Sequence, residues 1–349
     1  MSAVHQVLAG VGPHDAVSEQ ARVWRRLLSE AGYGGGDHAA RIDPGVRDGF
    51  AGIEALRPAP EDLVILRFSA WSAPLTPLAS SPQRKLLHFH NITPARYLWS
   101  HAPVVAVQCA VGRTQLPAFA RAARVCTADS EYNADELRAA GAVDARVVPI
   151  AFDPERLAKR GRAPGGGSPL VLSVGRLAPN KRHDLVFKTF AAFRAEHAPG
   201  ARLLCIGEAV SPSYGELMEQ LAAASGAGEA IELTGSLEQA DVNAAYAAAD
   251  VLLHLSEHEG FCIPLLEAFH FGVPVVARRA GAMEGVGGEA VLWTSDDADP
   301  AVTAELLAQV TGDAALRDEM VRRSGERLAA FSFDRAADAA LTAVGDALA

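Results

Sequence analysis

The sequence predicts an α/β protein made of two doubly wound domains, and three observations predict it. Short β-branched apolar runs alternate with longer amphipathic ones, the alternation breaks once at a Pro/Gly/basic stretch and then restarts, and 349 residues suit two domains at ~100–200 residues each. Strands separated by helices of ten or more residues imply parallel sheets covered on both faces, and two such units in tandem would face one cleft.

In the first part, HQVLAGV, DLVILRFS, KLLHFHN, ARVCTADS and ARVVPIA read as buried strands, with EQARVWRRLLSEAG and SEYNADELRAAG as helices between them. The stretch from Ala102 to Ala123 is ambiguous, but its alanines and Pro117 favour a helix over a strand. FDPERLAKRGRAPGGGSP is the best linker candidate, so the expected domains are 1–152 and 169–331, joined by 153–168. After it, LVLSVG, ARLLCIG, IELTGS, DVLLHLS and PVVAR read as strands. HDLVFKTFAAFRAEH, YGELMEQLAAASG and ADVNAAYAAAD read as helices. From Pro300 the chain is alanine-rich and helical, and 332–349 is expected to cross back to the N-terminal domain.

Composition narrows the partners. The net charge of −10 comes from scattered acids, and no Lys/Arg stripe suggests a nucleic-acid surface. Cys109, Cys126, Cys205 and Cys262 lie far apart without a CxxC pair, which reads as reduced thiols of a cytoplasmic protein. The N-terminus lacks a basic n-region and no apolar run reaches the ~18 residues of a membrane span, so only peripheral membrane contact stays open.

Ligands of doubly wound sheets sit outside the carboxyl ends of the strands, so the residues just after each strand run are the candidates. In SEHEGFCIPLLEAFHFGVPVVA, a loop carrying Glu259 follows a strand, and a helix with Pro264 in its first turn carries Glu267 and stops at Gly272. The amides of Phe261, Cys262 and Ile263 at that helix N-terminus suit an anion such as phosphate. Glu267 also reads as an acid placed by the helix dipole alone. After the strand LVLSVG come Arg176 and Lys181, two cations able to balance a diphosphate; a solvated surface turn is the plainer alternative.

Together these segments resemble the E-x7-E motif and the Gly-Arg…Lys phosphate-binding segment of the retaining glycosyltransferases of family 4, which have the GT-B fold. ADSEYNADELRAAG, VVPIAFDPERL and LTGSLEQADVNAAYAAADVLLHLS follow in the family's usual order, so the resemblance covers most of the chain from about Lys85. It implies that Glu259 contacts the donor hexose and Glu267 the nucleotide ribose, with Arg176 and Lys181 holding the diphosphate. Gly260, Phe261, Cys262, Ile263 and Leu265 belong to the implied binding segment. In the first domain His90 is implied to lie close to the transferred sugar with Asn91 beside it, although a histidine beside an apolar strand is also a common structural residue. Gly12, Asp15 and Ser18 sit where the family has a glycine-rich loop near donor phosphate and acceptor.

The rival dinucleotide fingerprint fails because Asp15 stands where its third glycine belongs. His254 and His258 have the spacing of a helical metal pair but straddle a strand and its loop, so no metal is expected. The segment RRAGAMEGVGGEAVLW keeps Gly281 and Glu284 without the family's usual proline, and Cys262 takes a place often held by glycine. The expected activity is metal-independent, retaining transfer of a hexose from a nucleoside diphosphate sugar to a carbohydrate, lipid-linked or small-molecule acceptor, with no cofactor. A sugar phosphorylase, a nucleotide-sugar epimerase and a non-catalytic nucleotide-sugar-binding subunit are the alternatives.

Overall fold

The computed structural model describes residues 2–12, 15–46, 49–154, 157, 167–294 and 299–349. The chain divides into two compact units, Met1–Arg96 with Val104–Phe152 and Phe331–Ala349, and Tyr97–Pro103 with Asp153–Ala330. Most of the expected linker, residues 155, 156 and 158–166, lies outside the described residues. Tyr97–Pro103, expected inside the N-terminal domain, groups with the second unit, where the His101 ring meets Tyr214 edge-on at 4.8 Å.

The first unit runs β1 (Val4–Leu8), α1 (Ala16–Glu30), β2 (Asp37–Ala39), β3 (Ala51–Gly52), β4 (Leu63–Phe68), β5 (Arg84–Phe89), α2 (Pro103–Ala122), β6 (Val125–Ala128), α3 (Glu131–Ala139) and β7 (Ala145–Val147). All pairings are parallel, in the order β3-β2-β1-β4-β5-β6-β7. The expected strand runs form, but they stop earlier than their apolar patterns do: Val148 to Ala151 lie beyond β7. Two short strands, β3 at the edge and β2 beside it, carry no pattern the sequence could show, because DHA and AG are too short for a period of two.

The second unit runs β8 (Leu170–Val174), α4 (His183–Glu196), β9 (Arg202–Ile206), α5 (Pro212–Ala222), β10 (Ile231–Leu233), α6 (Gln239–Ala248), β11 (Val251–His254), α7 (Ile263–Phe271), β12 (Val275–Arg278), α8 (Met283–Gly287), β13 (Val291–Thr294), α9 (Pro300–Gly312) and α10 (Ala314–Ala329). Its sheet is parallel in the order β10-β9-β8-β11-β12-β13. The strand β13, in a stretch given no strand reading from the sequence, supplies one edge of that sheet. Phe187, Phe190 and Phe193 of α4 pack with Val171, Leu203, Leu253 and Val276 of the sheet and with Leu307 of α9 to form the core.

The last helix, α11 (Phe333–Leu348), belongs to the first unit. Its alanines Ala340, Ala343 and Ala347, with Val344, are buried against Trp24 and Leu28 of α1 and against Leu63, Ile65 and Leu86 of the sheet. Small residues along one helical face let the backbone come close to the sheet, so a helix this poor in large side chains still fills its groove. Among the described residues no helix is long and apolar enough to cross a membrane.

Each sheet reverses its winding at one place, between β1 and β4 in the first unit and between β8 and β11 in the second. Loops leaving adjacent strands there diverge to opposite faces and open a crevice, where ligands of such sheets bind.

Candidate functional site

In the second unit the loop after β8 carries Arg176 and Lys181, and the loop after β11 carries Glu259. The strands are neighbours, so residues 78 apart in sequence meet: Lys181 Nζ donates to Glu259 Oε1 at 2.5 Å. Asn180 ties the same two loops together, its Nδ2 donating to His258 O at 3.2 Å and its carbonyl accepting from the Glu257 amide at 2.7 Å. From the other side the loop after β12 holds the Glu259 peptide, because Ala282 N donates to Glu259 O at 2.9 Å. Gly281 makes that approach possible: φ is +55°, and a Cβ there would lie 2.3 Å from Glu259 O.

The Glu259 carboxylate has a second donor. His254, the last residue of β11, places Nε2 2.7 Å from Glu259 Oε1 and 3.1 Å from Ser256 Oγ. An ionised carboxylate only accepts, so Nε2 carries the proton. Burial would raise the Glu259 carboxyl, but the Lys181 charge and the His254 hydrogen bond outweigh it and hold the group well below the usual carboxylate range. Nearby, Arg182 and Arg278 both bond Glu257 Oε1, the latter at 3.0 Å.

Glu267 lies one turn into α7, and that helix has no acid in its first turn, so the dipole-placement reading does not describe it. Burial raises its carboxyl, while Tyr246 OH of α6 donates to Oε2 at 2.8 Å and opposes that rise. The Tyr246 ring stacks on Phe271 with centroids 5.5 Å apart. Cys262, at the N-cap of α7, has φ +81°, a costly conformation for a side chain with a Cβ, and makes no side-chain cap. Burial pushes its thiol well up, so it stays protonated. Phe261 and Leu265 turn their side chains into the core, and Leu265 N donates to Cys262 O at 3.2 Å; Gly260 and Ile263 are half-buried. Arg176 is exposed and bonds neither carboxylate.

In the first unit His90 follows β5 and Asp129 follows β6. His90 Nδ1 lies 2.9 Å from Asp129 Oδ2, and its Nε2 lies 3.1 Å from an Arg67 guanidinium nitrogen. A guanidinium only donates, so His90 Nε2 accepts and Nδ1–H points to Asp129. His88 shares that aspartate, Nε2 to Oδ1 at 3.0 Å, and its Nδ1 faces Thr127 Oγ1 at 2.7 Å. Arg67 itself is fully buried in β4: Nε donates to Gln6 Oε1 at 2.7 Å, and the guanidinium lies 4.6 Å from the Trp24 ring centroid. Burial would raise the Asp129 carboxyl, but the two histidines hold it well below the usual range.

The other first-unit residues are engaged locally. Asp15 caps α1, accepting from Ser18 N at 2.8 Å and from Ser18 Oγ at 2.6 Å, while Gly12 N donates to Ser18 Oγ at 3.2 Å. Asn91, at φ +72°, donates to Asn133 Oδ1 at 2.8 Å. The structure therefore groups Gly12, Asp15 and Ser18 in one capping cluster and gives His90 two ring partners.

Among the described residues, besides an exposed trio of Glu196, His197 and Glu305, two largely buried groups each bring potential ligand atoms within 4.8 Å, His88 with His90 and Asp129, and His254 with Glu259 and Cys262. In both, imidazole N–H groups point at the carboxylate and a cation adjoins, so the hydrogen bonding already uses the atoms a metal would need. His258 is in neither group. His254, Tyr246, Asn180, Arg67 and Asp129 were not singled out for the site by sequence reasoning; the available signal was a lone polar residue inside an apolar strand, His254 in DVLLHLS and Arg67 in DLVILRFS.

Burial sets a pH dependence. It lowers His88 to about 3 in the first unit, aided by His90 and opposed by Asp129, and lowers His183 to about 3 in the second, aided by His254 and Lys181. Between pH ~6.5 and ~3 the unfolded chain binds more protons than the folded one, so stability is full above that window and falls as the pH drops through it. Each histidine contributes a slope of up to ~1.4 kcal/mol per pH unit. Urea unfolding of His88→Gln should show a shallower acid loss than the parent; an equal slope would remove His88 from this account.

Two parallel doubly wound units in one chain constitute the GT-B fold, and solved structures bear this out. The sucrose-phosphate synthase of Thermosynechococcus elongatus superposes with a TM-score of 0.77 at 16% identity, covering 97% of this chain and 96% of that one. WaaG, a glycosyltransferase involved in lipopolysaccharide biosynthesis, does so with a TM-score of 0.71 at 14% identity over 98% and 100%. Residues 155–327, most of the second unit, match the family Glycosyl transferases group 1. Among curated relatives, the D-inositol 3-phosphate glycosyltransferase of Salinispora arenicola is 31% identical over 62% of this chain and 52% of its own length. The GDP-mannose-dependent alpha-(1-6)-phosphatidylinositol monomannoside mannosyltransferase of Mycolicibacterium smegmatis is 28% identical over 62% and 60%. The chain spans about half the length of the curated relatives it matches.

Proposed function

We propose that the protein is a metal-independent, retaining hexosyltransferase of the cytoplasm. It moves a hexose from a UDP- or GDP-linked donor to an acceptor hydroxyl in polysaccharide, glycolipid or other glycoconjugate synthesis. The observation that carries this reading is the Lys181–Glu259 pair at the winding reversal of the second sheet, followed by the Tyr246-held Glu267 one turn into the next helix. The names of the relatives, which act on inositol phosphate and GDP-mannose, support a sugar-nucleotide donor and favour polyol- or lipid-linked acceptors.

In this reading Glu259 accepts hydrogen bonds from the donor hexose and Glu267 accepts from the ribose through Oε1, Tyr246 occupying Oε2. Arg176 and Lys181 stabilise the charge that builds on the diphosphate as it leaves, and the leaving diphosphate takes the acceptor's proton as the hydroxyl attacks from the same face. Backbone amides of Phe261, Cys262 and Ile263 complete the donor contacts. His90, Asn91, Gly12, Asp15 and Ser18 are assigned to the sugar and acceptor end.

A thermal-shift panel of UDP-, GDP- and ADP-linked hexoses tests the donor: at a hundred times its dissociation constant a true donor stabilises by ~2.7 kcal/mol. Transfer with release of free nucleoside diphosphate should then persist in EDTA. A panel in which no nucleotide sugar shifts the transition would sink the proposal.

A further inference from the structure

One side chain of the second unit has a chemistry that the proposed reaction leaves unused. His254 closes β11 and is 3% exposed, yet it directs Nε2–H at the carboxylate that Lys181 neutralises. The charged and titratable groups around it are Glu259 and Cys262 from the β11–α7 loop, with Lys181 and His183 from the loop and helix after β8. Of these only Lys181 is positively charged, and it is the half-buried member of the ion pair, with 19% of its side chain exposed against 9% for Glu259. The ammonium is therefore the partner able to swing toward an incoming anion, while the carboxylate stays where Ala282 and Asn180 fix its loop.

We infer that His254 is a positioning residue that replaces Lys181 as the counter-charge of Glu259: when Lys181 turns to the donor diphosphate, His254 takes up one proton and becomes an imidazolium. The inference rests on the donor-site reading above. A buried carboxylate stripped of its only ion-pair partner must either protonate or acquire another cation. His254 already donates to Glu259 through Nε2, so a proton arriving from solvent at Nδ1 converts a neutral hydrogen bond into a charged one without moving either residue. Glu259 then stays ionised and keeps its acceptor geometry for the sugar hydroxyls. Lys181 is released for phosphate at no net change in the charge around Glu259.

Proton uptake on binding means that donor affinity falls as the pH rises, by up to ~10-fold per unit where one proton is taken up. Calorimetric titration of UDP-, GDP- and ADP-linked hexoses, at one pH in two buffers of different ionisation heat, counts the protons directly. These diphosphate diesters do not themselves titrate near neutrality. The expected result is uptake approaching one proton by the parent protein. His254→Gln, which still donates to Glu259 but cannot ionise, should bind the same nucleotide sugar with no uptake. Lys181→Ala, whose carboxylate already lacks the ammonium, should also bind without uptake, because His254 is charged beforehand. Binding by the parent without uptake overturns the inference and leaves the donor reading standing, as does undiminished uptake by His254→Gln. Absence of binding by any nucleotide sugar overturns both.

Discussion

Lys181→Ala is expected to lower transfer at least ~100-fold and, in the same protein without any substrate, to cost about 3 kcal/mol of stability. The two losses have different origins. Transfer falls because a cation facing the departing diphosphate is gone. Stability falls because the Glu259 carboxylate, with 9% of its side chain exposed, loses the ammonium, and the charge must instead be carried by the buried His254 imidazole at a desolvation cost. The double variant Lys181→Ala/Glu259→Ala separates them: with no carboxylate left to strand, it should recover part of the lost stability while remaining inactive. Urea midpoints and a nucleoside diphosphate release assay measure both. A double variant no more stable than Lys181→Ala would show that the pair contributes nothing to folding, and near-normal turnover in the single variant would remove Lys181 from the reaction.

The second large effect is expected far from any phosphate chemistry. Arg67→Met should destabilise the first unit by about 3–5 kcal/mol, because it strands Gln6 Oε1 and His90 Nε2 and takes away the positive charge that balances Asp129 and Asp37. Arg67→Lys should recover little. One ammonium cannot replace a planar fork that reaches Gln6 with Nε and His90 with a terminal nitrogen while lying over Trp24. Trp24 fluorescence, read in a background with Trp71, Trp99 and Trp293 replaced by Phe, reports the unfolding of this unit. An Arg67→Met protein within ~1 kcal/mol of the parent would mean that these buried acceptors are satisfied in some other way.

How far such effects were legible in the sequence differs between the fold and the site. The strands β4, β5, β8, β9 and β11 follow from apolar runs bounded by turn residues, and α7 follows from Pro264 at its start and Gly272, at φ +69°, at its end. The strands β2, β3 and β13, at or next to a sheet edge, did not, because they exist through pairing with a neighbour rather than through their own pattern. The same distinction divides the site. Glu259 in a loop and Glu267 in a helix were local facts and were readable. That Lys181 reaches Glu259, and that Arg67 finds Gln6 and His90, depends on β8 lying beside β11 and β4 between β1 and β5. A buried arginine in DLVILRFS looks like an anomaly in one strand and becomes a bonded group only across three.

The placement of α11 also bears on how the protein is made. The first unit draws its groove-filling helix from Phe331–Ala349, after the whole second unit has been synthesised. At translation rates of ~5–20 residues per second, Trp24, Leu28 and Leu86 wait on the order of ten seconds or more for Ala340 and Val344. During that interval the N-terminal half carries an uncovered apolar strip on the ribosome, while the second unit, continuous apart from Tyr97–Pro103, is able to fold as it emerges. The order of synthesis thus makes the later-made unit the earlier-finished one.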